Sequence, residues 1–160
     1  MEIERKWLTR GWPQGQPDRV IEMEQGYISV SPTVRIRSHR ETGKADRYVL
    51  CFKSKGGLVR QEIETDVDKA LFDQLRDFIG KPLVKKVQRR YNLPGGLVLE
   101  ANQVDPGQPT GFFYAEVEFA SEADALAWQP GTELADYLQN EVTDQPGESM
   151  VAYWLRTRGE

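Results

Sequence analysis

Three charged side chains stand two residues apart at the start of the sequence: Glu2, Glu4 and Lys6. Alternate residues of an extended strand share a face, so these three point one way while Ile3 and Trp7 point the other. Two carboxylates can hold a divalent cation through oxygen, and an ammonium group can bind an anion beside it. The opening strand therefore predicts one wall of a site for a metal and an anion.

The same alternation of charged residues recurs on nearly every other extended segment of the chain. In an ordinary antiparallel sheet, the wet face is a mixture of Thr, Ser, Gln, Lys and Glu with little pattern. Here the face opposite the apolar one is concentrated in charge, which a solvated surface does not require. The residues predicted to share it are Glu2, Glu4, Lys6, Arg35, Arg37, Lys53, Arg60, Glu62, Glu64, Lys86, Arg90, Glu100, Glu116 and Glu118.

Eight strands and a few helices must position these side chains. Short turns join most of the strands, so the sheet is predicted to be largely antiparallel. The strands are predicted at 1–7, 23–30, 33–37, 47–53, 58–66, 82–92, 97–102 and 112–120. Apolar residues at three- and four-residue spacing predict helices from 66 or 68 to 79, and at 121–128, 132–139 and 148–158.

A closed barrel explains a sheet face that is charged on every strand. Eight strands can close around one small ligand, and a lumen lined by both charge signs is not a dry core. The amphipathic helices would then cover the apolar outer face. The sequence predicts one α+β domain over residues 1–160, an eight-stranded antiparallel closed barrel whose charged tunnel binds a chain of phosphates with Mg²⁺ or Mn²⁺.

Composition excludes several classes of protein. A hydrophobic content of 39% and a charged content of 29% suit a soluble globular protein, and no apolar run approaches the roughly 20 residues of a membrane span. The net charge of -4 gives no general attraction for nucleic acid or anionic membrane, so neither is expected as a partner. No secretory signal is visible and Cys51 is the single cysteine, which favours a cytoplasmic protein.

The opening segment Glu2-Ile3-Glu4-Arg5-Lys6 has the spacing ExExK, and further motifs follow it in order over nearly the whole chain. They are Gln25-Gly26-Tyr27, Val34-Arg35-Ile36-Arg37, Phe52-Lys53, Arg60-Gln61-Glu62-Ile63-Glu64, Lys86 with the following basic residues, Glu116-Val117-Glu118-Phe119 and Glu141-Val142-Thr143-Asp144. This set resembles the CYTH or triphosphate tunnel metalloenzyme family. The family contains inorganic triphosphatases, thiamine triphosphatases and class IV adenylyl cyclases, and the resemblance implies an eight-stranded tunnel that binds triphosphates with divalent metal.

The resemblance also implies roles for individual residues. The metal ligands would be Glu2, Glu4, Glu62, Glu64, Glu116 and Glu118. The triphosphate would be bound by Lys6, Arg35, Arg37, Lys53, Arg60, Lys86 and Arg90. Catalytic roles are expected for Glu4, Lys6, Lys53 and Lys86. The general base stays open among Glu4, Glu118 and a Tyr27–Lys53 pair.

The implied activity is hydrolysis of the terminal phosphoanhydride of inorganic tripolyphosphate or of an organic triphosphate, with Mg²⁺ or Mn²⁺ as cofactor. A non-catalytic polyphosphate- or nucleotide-binding module is one alternative on the same fold. A class IV adenylyl cyclase and a thiamine triphosphatase are the others. A homodimer is also compatible with the resemblance.

Some positions depart from the family pattern. Asn102 stands where many members carry Asp, and residues 144–149 lack the basic residue and the Tyr that many members have there. The usual Lys-x-Arg pattern maps to Lys86-Val87-Gln88 with Arg90 compensating, or elsewhere. Outside the motifs, the lone His39 is expected to be solvent-exposed rather than a ligand.

Overall fold

The computed structural model of the protein describes residues 1–159, which form ten strands and four α-helices. The strands are β1 Glu2–Thr9, β2 Arg19–Val30, β3 Thr33–Arg40, β4 Arg47–Lys53, β5 Val59–Arg60, β6 Glu62–Val67, β7 Val84–Asn92, β8 Val98–Val104, β9 Phe112–Glu118 and β10 Asn140–Glu141. The helices are α1 Lys69–Ile79, α2 Glu122–Ala127, α3 Thr132–Ala135 and α4 Met150–Arg158. Within residues 1–159, none of the helices has the length and apolar character needed to cross a membrane.

The strands curl into a nearly closed antiparallel barrel. Nine of them lie side by side in the order β10-β1-β9-β8-β7-β2-β3-β4-β6. The short strand β5, one residue before β6, pairs with β1 through Glu2 opposite Arg60 and Ile3 opposite Val59. The last edge of the sheet therefore returns to the first strand, which confirms the predicted α+β barrel.

The predicted number of strands was wrong, because the structure has ten rather than eight. Gln61 interrupts the predicted strand at 58–66: its carbonyl accepts from Ser54 N at 3.0 Å and its N donates to Ser54 Oγ at 2.8 Å. This local pairing separates β5, which closes the barrel on β1, from β6, which pairs with β4. The second addition, β10, lies beside Trp7 and Leu8 of β1.

Three helices cover the apolar outer face of the barrel, as predicted. The helix α1 begins at its N-cap Asp68 and ends at Gly80, whose φ of 68° suits glycine. Its buried Phe72 packs on Tyr48 with ring centroids 5.0 Å apart. On the other side, α2 and α3 cover a second core in which Trp7 packs against Trp128 at 5.9 Å.

The fourth helix, α4, closes one end of the barrel instead of covering its outside. Trp154 packs edge-on against Tyr27 at 5.6 Å, and Tyr153 belongs to the same core as Tyr114. Both Tyr27 and Tyr114 also line the lumen. The apolar side of this helix therefore faces the interior of the barrel, which alternation along the strands did not reveal.

A buried ion pair anchors α4 to the barrel end. Arg158 Nη1 lies 2.9 Å from Asp105 Oδ2, and its Nε and Nη2 donate to the carbonyls of Pro82 and Leu83 at 3.0 and 3.2 Å. Asp105 is 1% exposed, and its second oxygen accepts from Lys85 N at 3.0 Å. Each charge is paired and hydrogen-bonded, which is the condition for burying it without a large loss of stability.

Replacing Arg158 by Met tests this anchor. The variant keeps most of the aliphatic stem but leaves the Asp105 carboxylate buried without its cation, so the free energy of unfolding should fall by about 3–5 kcal/mol. Urea denaturation measures the loss. The matched control is Arg156→Met, one of the exposed positions of the same helix, which should change stability by about 0.5 kcal/mol or less. Equal losses in the two variants would contradict the anchoring role.

Candidate functional site

The barrel encloses a cavity of about 700 Å³. Every charged residue that the sequence predicts on one shared face lines it, from Glu2 on β1 to Glu118 on β9. The strand register explains the convergence, because Lys6 lies opposite Glu116 and Glu4 lies opposite Glu118. The sheet therefore delivers acidic and basic side chains from all sides into one space that water or a polar ligand must fill.

Glu4 and Glu116 form a carboxyl pair that shares a proton. Burial, the charge of Glu116 and a hydrogen bond to it raise the pKa of Glu4 well above its usual range. Burial alone would raise the pKa of Glu116, but the hydrogen bond from Glu4 and the nearby lysines lower that pKa to about 2. Two carboxyl groups this close hold one proton in place of a second positive charge, so the pair has the donor chemistry of a divalent-cation site.

Glu2 on β1 and Glu62 on β6 form a second carboxyl pair, at the place where β5 pairs with β1 and closes the barrel. Lys53 Nζ sits between them, 3.2 Å from an oxygen of each. Burial raises the pKa of Glu2 to about 7, and Lys53 opposes that rise without cancelling it. The acidic wall is thus built around one buried ammonium group, whose charge holds the two carboxyl groups together.

The other two lumen lysines meet at one tyrosine. Lys6 Nζ lies 4.4 Å from the centre of the Tyr114 ring and donates to the carbonyl of Glu148 at 2.7 Å. Lys86 Nζ donates to the hydroxyl of Tyr114 at 2.9 Å. Burial lowers the pKa of both lysines, and Arg37 adds to the effect at Lys86. The positive charge of both lysines is therefore disfavoured by burial, and an anion bound beside them would stabilise it.

Two lumen arginines are held by neutral partners on their own strands. Arg37 Nε donates to His39 Nε2 at 3.1 Å, and Arg90 Nε donates to Gln88 Oε1 at 2.8 Å. A third, Arg35, is 7% exposed, and its Nε has no hydrogen-bond partner within residues 1–159. The guanidinium groups keep most of their donors free for a ligand.

The acidic residues do not form a ready-made metal centre. No group of three or more His, Cys, Asp or Glu side chains in residues 1–159 is arranged to hold a metal ion. Two of the predicted ligands, Glu64 and Glu118, are exposed, whereas Glu2 is 7% exposed. The two carboxyl pairs are the places where protein oxygens converge.

The mouth of the lumen is built by the segment after β10. Thr143 Oγ1 accepts from Lys6 N at 3.1 Å, and Asp144 Oδ1 accepts from Leu58 N at 3.1 Å. A side chain at Gly57 would overlap Asp144, so only glycine allows this approach. The motif over 141–144 thus fixes the wall of the cavity beside the opening strand.

Comparison with known proteins assigns the family. No family model matches the chain. An inorganic triphosphatase of Nitrosomonas europaea is 35% identical over 129 residues, which are 81% of this chain and 83% of the relative. The chain belongs to the inorganic triphosphatases of the CYTH-like tunnel fold.

Solved structures agree with this membership. The crystal structure of an inorganic triphosphatase matches with a TM-score of 0.61 and 26% identity, over 96% of this chain and 93% of that one. A putative adenylyl cyclase from Hippeastrum, described as having a dominant triphosphatase activity, matches with a TM-score of 0.52 and 16% identity over 79% and 83% of the two chains. The latter likeness shows the fold alone.

The structure shows how β7 corresponds to the Lys-x-Arg pattern of the family, which the sequence had left open. Lys86, Gln88 and Arg90 lie together on the lumen wall. Asn102, the other departure, is fully buried opposite Gln88 on β8. The position that carries Asp in many members is therefore part of the wall and does not line the cavity.

Sequence reasoning missed the role of Tyr114 and misplaced His39. Tyr114 lies on the predicted lumen face but carries no charge, so charge alternation did not single it out. Cys51, the single cysteine, is 1% exposed with its Sγ 3.9 Å from Glu62. The expectation of an exposed His39 was wrong, because the alternation of Arg35 and Arg37 extends one step further and turns His39 toward the lumen wall.

The pKa of His39 predicts an acid-sensitive contribution to stability. The pKa of His39 falls to about 3 because the side chain is partly buried and lies near the positive charges of Arg37, Arg47, Lys86 and Arg90. In the unfolded chain it returns to its usual value near 6.5, so the unfolded state takes up a proton first and stability falls as the pH drops from about 6.5 toward 3. The variant His39→Gln cannot titrate, while every carboxyl group titrates in both proteins.

Thermal melts of wild type and His39→Gln at pH 7 and pH 5 test this. Wild type should lose more in Tm over that interval than the variant, by a few degrees, since about 1 kcal/mol shifts the Tm of a domain of this size by about 2–4 °C. Equal losses in Tm would show that folding does not lower the pKa of His39.

Proposed function

We propose that the protein hydrolyses the terminal phosphoanhydride of inorganic tripolyphosphate or of a related triphosphate inside the barrel. One observation carries this proposal: acidic and basic side chains from all sides of the barrel converge on one cavity. The relative named inorganic triphosphatase supports the reaction class. A linear polyanion with bound cations is the ligand whose charges complement both walls.

The basic wall is proposed to bind the phosphates. Arg35, Arg37 and Arg90 supply fork-shaped donors that match phosphate oxygens, while Lys6, Lys53, Arg60 and Lys86 add charge around them. Because burial keeps Lys6 and Lys86 poorly solvated, their attraction for an incoming anion is stronger than at a surface. Charge that develops on the leaving diphosphate would be stabilised by the same groups, without reorganisation during the reaction.

The acidic wall is proposed to hold Mg²⁺ or Mn²⁺. The carboxyl pair Glu4–Glu116 fits such an ion, because its shared proton would be displaced by a cation of higher charge. Glu2, Glu62, Glu64 and Glu118 complete the predicted ligand set around the lumen. Magnesium is usually held by one or two carboxylates together with substrate phosphates, which suits pairs of acids rather than a closed protein cage. Bound metal supplies neutralisation of the phosphate oxygens.

Positioning by this chain accounts for most of the proposed rate enhancement, as is usual in phosphoryl transfer. Lys53 lies between Glu2 and Glu62 and lines the cavity, so its ammonium group would also face the phosphates of a bound ligand.

A cytoplasmic location and a homodimer stay predictions of the sequence.

One assay tests the proposal. Pure protein is incubated with tripolyphosphate, ATP, thiamine triphosphate or long-chain polyphosphate, with Mg²⁺, Mn²⁺ or EDTA, and phosphate, pyrophosphate and cyclic AMP are measured. Tripolyphosphate should give equal amounts of phosphate and pyrophosphate with metal and no product with EDTA. Tight binding without product would establish a non-catalytic module instead, and cyclic AMP from ATP would establish a cyclase.

Two variants connect the activity to the lumen. Glu4→Gln and Arg37→Ala should each lower kcat/KM for tripolyphosphate by about 10²–10³-fold, as loss of a transition-state contact does. Matched controls are Glu22→Gln and Arg40→Ala, which are exposed positions on β2 and β3, and both should keep wild-type activity. Equal rates in the lumen and control variants would move the reaction away from the lumen.

A further inference from the structure

Two amide side chains, Gln88 and Asn102, are buried next to each other in the charged wall of the lumen. Gln88 on β7 is 4% exposed, and Asn102, opposite it on β8, is fully buried. Burying an amide costs free energy unless its donors and acceptors are matched. The roles proposed for the charged residues do not use either amide, so the reason for this pair lies in what it contacts.

Backbone carbonyls fix the direction of the hydrogen bonds through the pair. The Nδ2 group of Asn102 donates to the carbonyls of Glu100 and Tyr114 at 3.2 and 3.5 Å, and carbonyls can only accept. Asn102 Oδ1 must therefore face Gln88, whose Nε2 donates to it at 2.9 Å. This leaves Gln88 Oε1 as an acceptor on the lumen side.

The acceptor end of this chain holds Arg90. Arg90 Nε donates to Gln88 Oε1 at 2.8 Å and lies 3.3 Å from Glu100 Oε2. Within residues 1–159 the Arg90 guanidinium donates one hydrogen bond, from Nε to Gln88 Oε1. Both terminal amino groups therefore remain available to another acceptor. The Arg90 side chain is 26% exposed and lines the cavity, which makes those amino groups accessible from the lumen.

The neutrality of residue 88 has an electrostatic consequence. A carboxylate there would also accept from Arg90 Nε, but together with Glu100 it would more than neutralise the guanidinium. An amide gives the same hydrogen bond without adding a second negative charge to that of Glu100. The uncharged pair of Gln88 and Asn102, called the amide bracket below, therefore orients Arg90 without adding a negative charge that would weaken its attraction for an anion.

We propose that Gln88 and Asn102 are positioning residues whose side-chain amides hold Arg90 by its Nε and present its two terminal amino groups to a phosphate oxygen of the ligand. The identity of the ligand rests on the proposed function, whereas the holding of Arg90 does not. Asn102 Oδ1 accepts from Gln88 Nε2, which fixes the orientation of the Gln88 amide, and Gln88 Oε1 then accepts from Arg90 Nε.

The first test uses a double-mutant cycle. Gln88→Leu preserves volume and removes the bracket, and we expect the KM for tripolyphosphate to rise about 10-fold, as for one charge-assisted hydrogen bond. Arg90→Ala should raise KM at least as much, and the double variant no further, because Gln88 acts through Arg90. Additive effects, or a wild-type KM in Gln88→Leu, would overturn the proposal. Gln103→Leu, an amide lost on the outer face of β8, is the matched control.

A second variant guards against misfolding. Asn102→Leu keeps the approximate size of the side chain but removes the oxygen that accepts from Gln88 Nε2, so it should disturb Arg90 in the same direction as Gln88→Leu. A KM equal to wild type in Asn102→Leu would contradict the role assigned to Asn102. Thermal melting of each variant separates a change in KM from a loss of fold.

Nuclear magnetic resonance tests the holding of Arg90 without any substrate. In wild type, the Nε–H proton of Arg90 should exchange slowly with solvent, and in Gln88→Leu it should exchange at least 10-fold faster. Equal exchange rates would overturn the bracket. If wild type neither binds nor cleaves tripolyphosphate, the proposed function fails and with it the ligand assigned to Arg90, while slow exchange still supports the bracket itself.

Discussion

The structure depends on burying many opposite charges inside one barrel. Isolated ions in a low-dielectric interior would cost several kcal/mol each, so each must find a partner. The lumen provides three kinds of partner. Glu2 and Glu62 share Lys53, and Glu4 and Glu116 share a proton. The arginines Arg37 and Arg90 donate their Nε groups to neutral side chains instead, and Arg90 is also paired with Glu100 at 3.3 Å.

This arrangement requires a rigid surround. The outer faces of the strands supply it, because Trp7 packs beneath α2 and α3 and Tyr48 packs against Phe72 of α1. The helix α4 closes the remaining end through its aromatic side and the Asp105–Arg158 pair. One apolar core thus lies outside the strands, a second fills the end of the barrel under α4, and the charged groups lie within the lumen.

Much of this was predictable from the sequence, because period-two alternation assigns each strand residue to a face. The alternation of Glu2, Glu4 and Lys6, repeated on the later strands, was enough to predict the barrel and the charged residues that its strands place in the lumen. It did not reveal Lys55, Asp144 and Glu148, which line the cavity from segments outside the strands. The break at Gln61 was not predictable, since it depends on pairing with Ser54 in a turn. The position of α4 depends on contacts distant in sequence. The bracket at Gln88 and Asn102 was also hidden, because its meaning lies in hydrogen-bond direction rather than in residue type.

The central claim is that the lumen binds metal and a polyphosphate together. A crystal structure with Mn²⁺ and a non-hydrolysable imido analogue of tripolyphosphate tests it most directly, since the anomalous signal locates the metal. The prediction is a Mn²⁺ peak on the carboxyl groups of Glu4 and Glu116, bridged by analogue oxygens that also accept hydrogen bonds from Arg35, Arg37 and Arg90. An empty lumen, with analogue and metal only on the outer surface, would contradict it.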